Sequence, residues 1–169
     1  MIEGAPFARG LFARGLFALA LISAAAHAQT ITVGGAVPQP YTLTDSVLAT
    51  LPHVEVKAAD HGQPEATYDG VTLRDVVARA GAPAGMALRG PALATYVLCT
   101  AADGYHVVFA LAELDSAFAD RTVLVAMHKN GQPLGDHDGP FRIVVPGDQR
   151  PARWLRQLTM ITVRRGDTP

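Results

Sequence analysis

One cysteine, one tryptophan and little net charge set the first limits on this chain of 169 residues. The lone Cys99 excludes an internal disulfide, even in a compartment that would permit one. Its apolar run, Leu16 to Ala26, spans 11 residues, against the roughly 20 that a membrane-spanning helix needs. The 14 basic and 15 acidic residues nearly cancel, so no global field draws in nucleic acid, and any anion site has to be local. There is no Gly-x-Ser-x-Gly elbow, P-loop, dinucleotide fingerprint or H-E-x-x-H pair, which leaves the common nucleophile, nucleotide and zinc chemistries without a starting point.

What is present begins with "MIEGAPFARGLFARG", carrying Arg9 and Arg14, then the apolar run, then "AHA" at Ala26 to Ala28. That is the three-part plan of a cleaved secretory signal over residues 1–28, leaving a single domain over 29–169 that is periplasmic or secreted. The leader takes Glu3, Arg9 and Arg14 with it, so 12 basic and 14 acidic residues remain, a net charge of −2. A domain of 141 residues can bury a substantial core.

Proline, glycine and Asn/Asp-Gly pairs punctuate the remainder, with short β-branched or aromatic runs between them, which predicts a strand-rich α+β domain. Strands are expected at Ile31 to Val33, Tyr41 to Leu43, His53 to Ala58, Thr95 to Ala101, Tyr105 to Ala110, Thr122 to Met127, Phe141 to Val145 and Leu158 to Val163. Two helices are expected. In "TLRDVVARAG", Thr72 and Asp75 have capping-box spacing, Leu73, Val76, Val77 and Ala80 share a face, and Gly81 sits at the C-terminal cap. A shorter one covers Thr44 to Ala49. Asp-Gly in "ADGY" and Asn-Gly in "KNGQPL" signal hairpins.

Alternation along "TYVLCTA" puts Cys99 on the face of Val97 and Ala101, as core filler. Of the histidines, His137 in the polar turn "GDHDGP" is the one beside other chemistry. Glu113 and Asp115 are expected to cap a short turn, and Asp103 and Asp148 to accept nearby amides in turns. The richest stretch is "GPFRIVVPGDQRPARWLRQL", where Arg142, Arg150, Arg153 and Arg156 surround Trp154. Arg142 alternates with Phe141 and Ile143 and faces away from them, and the other three recur every third residue. Two readings stay open: the arginines converge on phosphate or another oxyanion, or they pair with Asp136, Asp138 and Asp148.

Four blocks, "YDGVTLRDVVARAGAP", "YVLCTAADGYHVVFALAEL", "VLVAMHKNGQPL" and "GPFRIVVPGDQRPARWLRQLTMITV", resemble in order the oxidoreductase molybdopterin-binding domain of sulfite oxidase-like proteins. The resemblance implies that family's strand-rich mixed sheets, molybdopterin as cofactor, and a groove at the last block. By position it implies His137 and Arg142 as contacts to pterin phosphate or substrate oxyanion, with Arg150, Arg153 and Arg156 as further cofactor-binding candidates and Tyr105 and Trp154 as groove walls. Catalytic members bring a cysteine thiolate to molybdenum from the strand and loop upstream of the Tyr-Asp-Gly-Val block. Here that region reads "LPHVEVKAADHGQPEATYDG", without cysteine, so no metal ligand is assigned. Nor does an Arg-Arg pair precede the apolar run, as it would in an exporter of folded, cofactor-loaded protein. No counterpart of the dimerisation domain that many sulfite oxidases carry is expected after this one.

These features predict an exported domain that binds an anionic or pterin-like small molecule, or a partner protein, without catalysis. The alternative is a molybdenum cofactor-dependent oxidoreductase acting on a small oxo-compound such as sulfite or a sulfoxide. A third possibility is an interaction module whose arginines pair internally.

Overall fold

The structure, a computed structural model, describes residues 30–60 and 62–166. The expected leader lies outside the described residues. Among those described, no helix is long and apolar enough to cross a membrane.

Among the described residues, two five-stranded sheets and one well-formed helix make up the fold, in the strand-rich α+β class that the punctuation predicts. The first sheet is built from β1 (Ile31–Gly35), β2 (Tyr41–Leu43), β5 (Thr95–Ala101), β6 (His106–Ala110) and β10 (Leu158–Arg165), in the order β2-β1-β10-β5-β6. Only β1 and β10 run parallel within it. The second sheet holds β3 (His53–Ala58), β4 (Ala66–Thr72), β7 (Leu124–Lys129) and β8 (Gln132–Pro133) in that order, with β9 (Arg142–Val144) also paired to β7.

Alternation holds where one face is solvated. In β5 every second residue, Thr95, Val97, Cys99 and Ala101, is buried, as a half-buried antiparallel strand requires. By contrast β9 and the start of β7 are buried on both faces, and they read as continuous apolar runs interrupted only by Arg142. The tight strand β4 was not among the expected elements, because "YDGV" carries an Asp-Gly pair that reads as a turn. Here Gly70 is a strand residue: a Cβ on it would collide with the Val125 carbonyl of β7. Its lack of a side chain lets the two backbones approach.

Helix α1 (Asp45–Leu48) is shorter than expected, with Thr44 as its N-cap. Helix α2 (Leu73–Arg79) starts as its capping box predicts: the Thr72 hydroxyl accepts from the Asp75 amide at 3.0 Å and donates to the Asp75 carboxylate at 2.7 Å. It ends in paired bonds, Ala82 N–H to the Val77 carbonyl and Gly81 N–H to that of Ala78, with Gly81 at φ +83°. Leu73, Val76, Val77 and Ala80 are buried, and the Tyr41 hydroxyl donates to the Val76 carbonyl at 2.9 Å, tying the first sheet to the helix. Burial raises the Tyr41 pKa to about 12, against a smaller lowering by Arg79.

The remaining differences are local. The strand expected from Tyr105 begins at His106, that expected from Phe141 to Val145 keeps only its middle, and β7 starts later than Thr122 and runs on to Lys129. Asp115 is buried, and its carboxylate accepts from the Gly85 and Ala117 amides; those two bonds hold its pKa below the usual range.

Candidate functional site

A cleft of about 850 Å³ opens where the ends of the two sheets meet. The first sheet contributes the β5–β6 turn with Asp103 and Tyr105. The second contributes Asp60 after β3, Lys129 at the end of β7, and Arg142 from β9. The segment between β9 and β10 closes it with Trp154 and Arg156.

Arg142 lies at its centre. The side chain is 2 % exposed, with Nη2 donating to Asp60 Oδ2 at 2.9 Å and Nη1 to Asp138 Oδ2 at 3.1 Å. Its guanidinium carbon sits 5.9 Å from the Tyr68 ring and 5.6 Å from that of Trp154, and those rings meet edge to face at 5.8 Å. A buried cation needs such compensation: two counter-charges and two aromatic faces replace the water it has lost. The accounting is not complete, because Arg142 Nε and the Tyr68 hydroxyl are buried without a hydrogen-bond partner.

A β-bulge sets which side chains reach the cleft. Gly70 pairs with Ala126 and Asp69 with His128, so Met127 is the extra residue of β7. The insertion returns Lys129 to the face that carries Tyr68, Ala126 and Arg142, and Lys129 Nζ lies 5.6 Å from the Tyr68 ring centroid. The preceding residue, His128, turns to the other face, where its Nδ1 and that of His53 meet Asp69 at 3.0 and 3.4 Å.

The sequence candidates divide. His137, Arg142 and Arg156 all line the cleft, as do Tyr105 and Trp154. Arg156 Nη1 lies 2.8 and 3.1 Å from the two ring nitrogens of His137, and His137 Nδ1 lies 3.2 Å from Asp138. Trp154 is buried, its indole donating to the Val145 carbonyl at 3.0 Å, while Tyr105 donates to the Ala152 carbonyl and fastens the hairpin to the facing loop. Arg153 turns elsewhere: Nε and Nη2 clamp Asp148 at 2.8 and 2.7 Å, Nη1 reaches Glu113 at 3.2 Å, and the guanidinium lies over Phe109. The Asp148 bond is the main cause of its raised pKa. Asp148 therefore bonds Arg153, not the nearby amides expected of it. Arg150 is exposed and does not line the cleft. The four arginines thus do not converge. Asp136 contributes its carbonyl, to Gln157, in place of a salt bridge. Asp103 does accept the Tyr105 amide, as expected of a turn aspartate.

Lys129, Asp60 and Gln63 are cleft residues that sequence reasoning missed. Lys129 precedes the Asn-Gly hairpin that was recognised, but its facing depends on the bulge. Asp60 belongs to the cysteine-free segment, where a carboxylate gives no motif.

The two sheets and their polar end-cleft define a mixed α+β domain with room for a cofactor-sized molecule. The chain belongs to the oxidoreductase molybdopterin binding domain family, whose model matches residues 19–169. Among solved structures it is similar to the sulfane dehydrogenase SoxCD from Paracoccus pantotrophus, at a TM-score of 0.61 and 20 % identity. That likeness covers 80 % of this chain and 38 % of the other, and it shows the sulfite oxidase-like fold. No curated protein sequence matches the chain.

The family binds molybdopterin, and the side chains at the cleft fit one half of that group only. Lys129 and Arg156 can meet a phosphate. For the metal the donor set does not fit: β3 and the residues after it bring Ala58, Ala59 and Asp60, and Asp60 is held by Arg142. Cys99 is buried in the first sheet, where burial pushes its thiol pKa up and disfavours the thiolate. Among the described residues no three His, Cys, Asp or Glu side chains are placed to hold a metal ion.

Proposed function

We propose that this is an exported, non-catalytic binding domain on the molybdopterin-binding fold, taking up a small molecule through an anionic group met by Lys129 and Arg156. The observation that carries the reading is that no cysteine lines the cleft among the described residues. The segment that follows β3 delivers Asp60, and its charge is spent on Arg142. A soft metal left without thiolate has no anchoring ligand from this chain, whereas two cations at the rim can still hold an oxyanion. Export rests on the leader-like residues 1–28.

Molybdenum analysis of protein purified from the periplasm of a cofactor-producing host tests the metal half. Far less than one atom per chain is expected, and about one per chain would overturn the reading. Calorimetric titration with sulfate tests the anion half: binding should weaken as salt rises and be lost in the Lys129→Gln, Arg156→Gln double variant.

Family membership favours a second reading, a molybdenum cofactor-dependent oxidoreductase acting on sulfite or a sulfoxide. It requires pterin absorbance and dye-linked redox activity in the same preparation.

A further inference from the structure

The charges lining the cleft balance, but among the described residues only Arg142 of the three cations is ion-paired. Asp60, Asp103 and Asp138 stand against Lys129, Arg142 and Arg156. Arg142 gives one positive charge to two partly exposed carboxylates, so the triad keeps a net negative charge in the cleft. Only Oδ2 of Asp60 is engaged by a described residue, which leaves Oδ1 as an acceptor. Asp103 adds a second acceptor, because among the described residues only its Oδ1 is engaged, by the Tyr105 amide at 2.9 Å.

Lys129 and Arg156 form the positive pole, although Arg156 stands against His137, which lies 3.2 Å from Asp138. No carboxylate among the described residues lies within salt-bridge distance of Lys129 or Arg156. Lys129 rests near the Tyr68 ring and Arg156 against His137. A purely anionic ligand gains at this pole and is repelled by the triad and Asp103; a purely cationic one meets the reverse. Carboxylates only accept and ammonium groups only donate, so both poles are satisfied by one molecule that carries an anion and a protonated nitrogen.

Resting on the reading of the cleft as a small-molecule site, we propose that its ligand is a zwitterion, with the anionic group at Lys129 and Arg156 and the protonated nitrogen at Asp60 and Asp103. The pair of poles sets the preference for a net-neutral molecule, and like-charge repulsion weakens the binding of each half alone.

Calorimetric titration of the purified protein with 2-aminoethanesulfonate and with its two halves, ethanesulfonate and ethylamine, tests this. The zwitterion should bind about tenfold more tightly than either half, as one added charge-assisted hydrogen bond would give. Its affinity should change little with added salt, while that of ethanesulfonate falls. Asp103 lies in an exposed turn apart from the Arg142 triad, so Asp103→Asn should fold as the parent does, weaken the zwitterion and leave ethanesulfonate bound as well or better. Ethanesulfonate binding as tightly as the zwitterion would overturn the zwitterion assignment and leave the anion reading standing. So would a preference untouched by both Asp103→Asn and Asp60→Asn. If none of the three probes binds a cooperatively melting protein, both readings fall.

Discussion

A guanidinium taken almost wholly out of water, as in Arg142, persists only beside its counter-charges, because desolvating an ion costs several kcal/mol. Arg142→Met removes the cation and leaves Asp60 and Asp138 facing each other. The expected loss is about 3 kcal/mol, toward the low end for breaking a buried pair since both carboxylates stay partly exposed. Denaturant unfolding checks it, and adding Asp60→Asn and Asp138→Asn to that variant should restore much of the loss. Strand alternation was enough to show Arg142 turning from Phe141 and Ile143, and Asp138 was legible as a nearby partner. Asp60 was not, because it sits 82 positions away and is brought in by sheet pairing. The regular spacing of Arg150, Arg153 and Arg156 misled for a related reason. Their segment is a short 3-10 turn at Pro151–Arg153 flanked by irregular backbone, which sends Arg153 to Asp148 and Glu113, Arg156 to His137 and Arg150 to solvent.

At the scale of elements, the strongest local signals belong to α2, whose cap residues, apolar face and terminal glycine all act within the helix. Thr72→Ala should cost about 1 kcal/mol, the usual worth of an N-cap hydroxyl, measurable by thermal melting. Gly70→Ala should cost more than the few tenths expected of an exposed strand glycine, since its methyl would meet the Val125 carbonyl and the strands must separate. A cooperative melt at the parent temperature would contradict that packing. The same β4–β7 pair explains why Lys129 escaped notice. Period-two alternation from Ala126 puts Lys129 on the opposite face, and only the extra Met127 reverses it. Deleting Met127 should therefore leave a regular strand in which Lys129 keeps its face, and sulfate titration of that variant should show its contribution to anion binding retained. A bulge is a property of two paired strands, and nothing local to "VAMHKNG" announces it.

Across the whole molecule the ordered motifs, more than any single residue, made the family legible, and composition was enough for the strand-rich class. How the layers are tied together was not, because those ties join distant positions: Tyr41 to Val76, and Asp115 to Gly85. Both ties involve titrating groups, so they shape how stability depends on pH. For Tyr41 the folded pKa is raised, to about 12, above its ordinary value of 10.0. The folded state then binds the proton more tightly than the unfolded chain, so this contribution is fully present below the ordinary value and is lost as pH climbs through the folded one. Asp115 has the opposite sign. Its depressed pKa gives a contribution that is present above the ordinary carboxyl range and lost as pH falls through the folded value. Tyr41→Phe removes the hydroxyl and should cost about 1 kcal/mol at neutral pH for the lost hydrogen bond. Between pH 10 and 12 the difference from the parent should shrink, because the variant has no proton there to lose. Melting temperatures of the two proteins across that range decide it: a gap that stays constant or widens would show that the Tyr41 hydroxyl does not join the first sheet to α2.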